Sequence, residues 1–256
     1  MFSIKYLSNE IGVSRNLEMK ADYVVNRTQN SKTALNIGLL QKWNHNYIDN
    51  SEIIVQRKQT TTLEVGISQR RYIAKETWDY QLSYHHGIGL LNAQAQENTA
   101  SEIPTTRYGL WILEIDMKKP VELWQTQARY SLILRGQYTK STLFSADCFS
   151  IGNRYTVRGF DGEQTLLGEC GWYWRNELAF PIEKIGAEIY GGLDYGEVSG
   201  PATASFSSRK LLGSVLGIRG ALWKGNFDIF VSWPLKEPQE MKSQNPTYGF
   251  QYTYAI

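Results

Sequence analysis

The sequence predicts an all-β fold, an antiparallel transmembrane β-barrel. Three observations carry that reading. Apolar residues recur with period two along almost the whole chain, the spacing of a strand with two unlike faces. Aromatic residues are abundant, with 16 Tyr, 8 Trp and 9 Phe making up 13% of 256 residues, against only 7 Pro. No stretch approaches the roughly 18 consecutive apolar residues of a membrane-spanning helix.

The alternation begins with Leu17, Met19, Ala21 and Tyr23, which oppose Glu18, Lys20 and Asp22. Leu35, Ile37 and Leu39 then oppose Asn36 and Gly38, and Leu63, Val65 and Ile67 oppose Glu64, Gly66 and Ser68. Trp78, Tyr80, Leu82 and Tyr84 oppose Asp79, Gln81, Ser83 and His85. Between 124 and 138, Trp124, Ala128, Tyr130, Leu132, Leu134 and Tyr138 oppose Gln125, Gln127, Arg129, Ser131, Arg135 and Gln137. After residue 186, Ala187, Ile189, Leu193 and Tyr195 oppose Glu188, Tyr190, Asp194 and Gly196. Phe227, Ile229, Val231 and Trp233 oppose Asn226, Asp228, Phe230 and Ser232. The C-terminus repeats the pattern in Tyr248, Phe250, Tyr252, Tyr254 and Ile256. About twelve such segments of about 9–16 residues fill the chain, longer than the usual strand of a soluble protein.

The composition of the two faces decides the class. A soluble sandwich buries its apolar face in Val, Ile and Leu. Here Trp and Tyr gather near segment ends, at Trp43, Tyr47, Trp124, Tyr138, Trp172, Trp174, Trp223 and Trp233. A membrane barrel wants an apolar outer band edged by aromatic girdles and a polar lumen. The competing reading is a soluble β protein with aromatic-rich faces. Residues 92–106, 197–208 and 235–246 are small, polar and turn-prone and read as surface loops. Arg129, Arg135, Arg175, Glu177, Arg219 and Asp228 fall on lumen-facing positions. They suit a solvated porin wall or a polar track for an unfolded chain.

Charge and composition exclude other classes. The net charge of +2 makes no electrostatic case for nucleic acid. Two cysteines make neither a disulfide scaffold nor a zinc site. The three histidines, His45, His85 and His86, have no ligand set at metal spacing, and no cofactor is expected. No serine sits in a nucleophile-elbow context, so an enzyme is not expected, although some outer-membrane hydrolases are barrels. The N-terminal MFSIKYLSNEIGVSR lacks the basic and apolar regions of a secretory leader. The chain therefore reads as either cytoplasmic or a piece of something longer.

Residues 149–178, FSIGNRYTVRGFDGEQTLLGECGWYWRNEL, break the alternation with five glycines at 152, 159, 162, 168 and 171. The stretch reads as a loop set between two strands, glycine allowing tight turns at positive φ. It resembles the outer-membrane transporters of two-partner secretion (TpsB type), the haemolysin secretion/activation family, within a wider superfamily of outer-membrane assembly factors. The resemblance implies a sixteen-stranded barrel, of which this chain supplies about twelve strands: seven before the hairpin and five after it. It also implies an in-folding hairpin at about 140–166, with Val157, Arg158, Gly159 and Phe160 at its tip. Arg158 would pair with an aspartate on a lumen-facing strand, and Gly192-Leu193-Asp194-Tyr195-Gly196 offers Asp194, followed by Gly196, in the right order. A guanidinium fork can take such a carboxylate with two parallel bonds, and in a wet lumen the pair is expected to add little stability. Gly171, Trp172, Tyr173, Arg175, Asn176 and Glu177 continue the motif.

The same resemblance implies a translocator of the Gram-negative outer membrane that secretes and activates a large exoprotein of haemolysin, adhesin or contact-dependent toxin type. Its expected partners are that TpsA-type exoprotein, outer-membrane lipid and lipopolysaccharide, and the barrel-assembly machinery, with no nucleic acid. Phe250, Tyr252 and Tyr254 fit the C-terminal assembly signal, whereas Ile256 stands where an aromatic is usual. Cys148 and Cys170 flank the hairpin and are either a disulfide closing it or two thiols. The family's signal peptide, plug helix and periplasmic POTRA domains are expected to be absent from residues 1–256. An insertase of the same superfamily, a passive channel and a truncated, non-functional remnant stay open as alternatives.

Overall fold

The computed structural model describes residues 2–5, 12–48, 51–52, 58–93, 103–123 and 125–254. It contains fifteen strands: β1 (Phe2–Lys5), β2 (Gly12–Arg27), β3 (Ser31–Ile48), β4 (Ser51–Glu52), β5 (Lys58–Ile73), β6 (Glu76–Ile88), β7 (Gly109–Leu123), β8 (Thr126–Thr139), β9 (Phe149–Ile151), β10 (Leu166–Gly168), β11 (Cys170–Ile182), β12 (Ala187–Ser199), β13 (Lys210–Leu222), β14 (Gly225–Lys236) and β15 (Thr247–Tyr254). Twelve of them form one antiparallel meander in the order β1-β2-β3-β5-β6-β7-β8-β11-β12-β13-β14-β15, with β4 pairing off β3. Seven of the twelve precede the hairpin and five follow it. Strands β9 and β10 pair only with each other. No described helix is long and apolar enough to cross a membrane.

Period two explains the strands. In β13, Leu212, Ser214, Leu216 and Ile218 point one way and Gly213, Val215, Gly217 and Arg219 the other. The register Arg219↔Glu188 and Arg219↔Asp228 stacks like-facing residues across three strands. Short turns alternate with long loops along the chain. Ala74, Gln125 and Trp223 hold positive φ in three of the short turns, and Gly186 does so in a fourth. Long connections run over 140–169, 200–209 and 237–246, and the loop expected over 92–106 lies largely outside the described residues.

The chain divides into two compact units. In the first (1–70, 80–113 and 138–146), Lys20 bridges Glu18 and Glu64 at 3.0 and 3.2 Å on one face of the sheet. Tyr23, Leu35, Ile37 and Val65 stand exposed on the other. The second unit (71–79, 114–137 and 147–256) carries the main apolar core. That core does not lie between two sheets. Phe149, Ile151, Val157, Phe160 and Leu166 of the inserted segment pack against Tyr173, Val198 and Leu211 of the sheet.

Two sequence expectations need correction. Residues 149–178 are not all loop: β11 starts at Cys170, so GWYWRNEL is strand. Its period two was masked by glycine and by charges, Arg175 and Glu177, that simply face the polar side. The loops expected over 197–208 and 235–246 start late, because Glu197–Ser199 belong to β12 and Leu235 and Lys236 to β14.

Candidate functional site

The inserted hairpin is shaped by its own side chains before it meets the sheet. Its stem is the β9–β10 ladder, Leu166↔Ile151 to Gly168↔Phe149. Beyond it Asn153 makes an Asx turn, its Oδ1 accepting the N–H groups of Tyr155 at 2.8 Å and Thr156 at 3.1 Å. Thr156 Oγ1 accepts the N–H of Gly152 at 3.1 Å. These bonds turn the chain so that Val157, Arg158, Gly159 and Phe160 enter the sheet's polar face, with Val157, Arg158 and Phe160 each 5% exposed or less.

Arg158 makes five hydrogen bonds. Its Nε and Nη2 take Asp194 as a fork, at 2.6 Å to Oδ2 and 2.9 Å to Oδ1, and its own backbone N–H donates to Oδ2 at 3.0 Å. Nη1 donates to Glu177 Oε2 at 2.5 Å and Nη2 to the Asn176 carbonyl at 3.1 Å. Asp194 is fully buried and Arg158 is 5% exposed. The pair is therefore not in the solvated regime that the sequence led us to expect. A buried pair adds little net energy when intact, but removing one partner costs about 3–5 kcal/mol because a charge is left bare. Burial disfavours the Arg158 charge, yet the bonds and charges of Asp194 and Glu177 outweigh burial and raise its pKa above the ordinary arginine value. It stays charged wherever the protein is folded.

The pair heads a row of charges running across the strands. Glu177 on β11 also accepts from Arg219 on β13, Oε1 to Nη2 at 2.6 Å. Arg219 Nε donates on to Glu188 of β12, which Arg129 of β8 reaches at 2.6 Å. The Arg219 guanidinium stacks 4.5 Å from the Tyr190 ring, whose hydroxyl donates to Asp228 at 2.7 Å. Arg175 donates from Nη1 to the Tyr155 carbonyl at 2.8 Å, and its Nε lies 3.8 Å from Asp194. A cavity of about 370 Å³ opens beside this row, lined by Lys118, Arg129, Arg158, Arg175, Glu177 and Arg219.

The remaining sequence candidates separate by face. Tyr173, Arg175 and Glu177 turn to the hairpin. Trp172 faces the other way beside Tyr195, ring centroids 5.3 Å apart, as does Asn176, which accepts from the Tyr130 hydroxyl. Gly171 and Gly196 are spacers: a Cβ at either would press on Phe149 at 2.5 Å or Val157 at 2.8 Å. Phe250, Tyr252 and Tyr254 project outward from β15, and Ile256 lies outside the described residues. Cys148 directly precedes β9 and Cys170 opens β11. Gln137 spans them by donating to the Asp147 and Glu169 carbonyls, both at 3.1 Å. The structure holds both cysteines as thiols, with no disulfide between them.

Among the described residues, Ser83, His85 and Glu64 are not arranged as a catalytic relay. Ser83 Oγ is 2.9 Å and Glu64 Oε1 3.9 Å from the same nitrogen, Nε2 of His85, whereas a relay needs them on opposite nitrogens. Among the described residues no three His, Cys, Asp or Glu side chains converge on a metal geometry.

Sequence reasoning missed Gly213 and gave Gly192 no role of its own. Both line the seat of Arg158, a Cβ at Gly192 meeting Arg158 Nη2 and one at Gly213 meeting the Arg158 carbonyl. The signal was present: Gly192 and Gly196 bracket Asp194 at i−2 and i+2, on its own face of β12.

A family model described as haemolysin secretion/activation protein ShlB/FhaC/HecB matches residues 6–220. The outer membrane transporter CdiB-2 of Burkholderia pseudomallei is 32% identical over 94% of this chain and 42% of its own length. The solved CdiB of Acinetobacter baumannii overlays with a TM-score of 0.84 at 29% identity, over 94% of this chain and 42% of that one. The CdiB of Escherichia coli gives a TM-score of 0.87 at 20% identity, over 94% and 45%, a likeness of fold. The chain thus spans about two fifths of the length of the relatives it matches.

Proposed function

Because the chain belongs to the ShlB/FhaC/HecB family of haemolysin secretion/activation proteins, we propose that it forms the hairpin-bearing part of an outer-membrane translocator for two-partner secretion. The fold is the antiparallel transmembrane β-barrel of these transporters. The cargo is a large exoprotein of the haemolysin, adhesin or contact-dependent toxin type, and the work is transport rather than catalysis. The polar face of the sheet lines the lumen and the aromatic face meets lipid. The barrel-assembly machinery inserts the chain, reading Phe250, Tyr252 and Tyr254 near its end.

One observation carries the reading. A four-residue tip is bound to the polar face of the sheet through a buried Arg158–Asp194 fork, beside a row of paired charges. Such a plug holds its place without being covalently fixed. It gives way when an incoming chain offers competing contacts, so passage needs no nucleotide. The mixed charges of Glu177, Arg219, Glu188 and Arg129 give an extended polypeptide a surface with few apolar groups to adhere to.

The test is Arg158→Ala in cells that carry this chain and its exoprotein partner. Secreted exoprotein should fall at least about tenfold, since a hairpin that loses several kcal/mol of seating is no longer held in the position from which it engages the incoming chain. Heat-modifiable protein in the outer membrane should stay near the wild-type amount. Normal secretion by this variant would overturn the assignment.

A further inference from the structure

The DGEQ run that follows the tip takes no part in the Arg158 anchor. Asp161 and Gln164 instead meet the loop 237–246 between β14 and β15. Asp161 Oδ2 accepts the N–H of Gln244 at 2.8 Å, and the Asp161 N–H donates to Ser243 Oγ at 3.2 Å. Gln164 Oε1 accepts the N–H of Lys242 at 2.9 Å. Between these contacts the loop pushes Met241, 5% exposed, into the hairpin's apolar core beside Ile151, Val157 and Leu166. The Met241 methyl closes on Gly152, where a Cβ would lie 3.1 Å from it. At its other end the loop is tied to the neighbouring loop, Glu240 Oε2 accepting from Ser207 Oγ at 2.7 Å.

The two segments complete each other. Backbone N–H groups at 242 and 244 find acceptors on the hairpin, and the core over Gly152 is closed by a side chain from the loop. Asp161 uses both carboxylate oxygens, Oδ1 accepting from Glu163 N–H at 3.0 Å, so it fixes the hairpin's exit while it holds the loop.

We propose that loop 237–246 is a latch on the hairpin: Asp161 and Gln164 are positioning residues that bind it, Met241 is its bolt, and the hairpin leaves its seat only when the loop lets go. The proposal rests on the translocator reading for its consequence, that hairpin release opens the path, but its test uses no cargo.

The test is amide hydrogen exchange on the full 256-residue chain refolded in detergent. In the wild type the amides of Lys242 and Gln244 exchange slowly. In Asp161→Ala/Gln164→Ala they should exchange about tenfold faster, two hydrogen-bond acceptors having been removed. The latch further requires faster exchange at Gly152, Thr156 and Arg158 in the same variant. Gln164→Glu keeps an acceptor oxygen and should restore the wild-type rate at Lys242. If the double variant loses its strand protection, Gln164→Ala alone is read in the same way. Unchanged rates at Lys242 and Gln244, or faster loop exchange with the hairpin amides unmoved, would overturn the latch. Neither result depends on secretion, so failure of the Arg158→Ala test and failure of the latch are separate outcomes.

Discussion

The hairpin approaches the sheet backbone to backbone at Gly213, where a Cβ would collide with the Arg158 carbonyl. On the other side of the tip Gly159 has φ +116°, and a Cβ there would lie 2.5 Å from the Trp233 carbonyl. Both neighbours are backbone, which cannot swing aside as a side chain can. Gly213→Ala therefore cannot be absorbed locally: either β13 shifts or the tip rises. The first strains a strand paired on both edges, and the second lengthens the Arg158–Asp194 fork. We expect a loss of about 1–3 kcal/mol in urea unfolding of the refolded chain, the range for overpacking a tight site. Cleavage by an added protease between 153 and 156 should also become faster. Wild-type stability with unchanged cleavage would mean that the tip is not seated on β13. Arg158 and Asp194 were legible because the runs around them, VRGF and GLDYG, resemble those of a known family. Gly213 was not, because a glycine among Leu211, Leu212 and Ser214 gives no local sign that another backbone, 55 positions away, rests on it.

Each element reads from sequence to the extent that its contacts are local. Strands β8, β12, β14 and β15 follow from period two alone, since each has an apolar face and a polar face throughout. The segment 149–178 misled because it joins two things: a turn-rich hairpin whose core is built from residues up to 241, and a strand whose inward face is Tyr173, Arg175 and Glu177. The hairpin's apolar side chains look exposed until β11, β12 and β13 are placed beneath them. The charge row is likewise a product of register rather than of sequence proximity. Arg219 on β13 lies opposite Glu188 and reaches over to Glu177, 42 positions away. It is the shared donor between two carboxylates, so Arg219→Ala leaves Glu177 held only by Arg158 and Glu188 only by Arg129. Because Arg219 is about a third exposed, we expect about 1–2 kcal/mol of lost stability, below that of the fully buried Arg158. The unfolding midpoint should shift less for Arg219→Ala than for Arg158→Ala. An equal or larger shift would place the strength of the row at β13 instead of at the hairpin.

At the scale of the molecule the question is what lies against the apolar face. In the second unit Ile189, Leu193, Leu216 and Ile229 are each 44% exposed or more. The register sets Leu216 beside Gly191 and Val231 at the middle of β13. A soluble sheet with such a face needs a second layer. A barrel wall needs only hydrocarbon, which explains why the apolar core of this chain sits under an inserted hairpin on the polar side instead. Lipid also grades its penalty with depth, which a protein partner has no reason to do. Leu216→Arg, at mid-strand, should cost about 2–4 kcal/mol when the chain is unfolded by urea from lipid vesicles, whereas Leu235→Arg, near the end of β14, should cost no more than about 1 kcal/mol. Equal costs at the two positions, or none at Leu216, would mean that the face is covered by something other than a bilayer. The graded pair of values would place the centre of β13 at the bilayer midplane and the end of β14, where the latch loop begins, at the membrane surface.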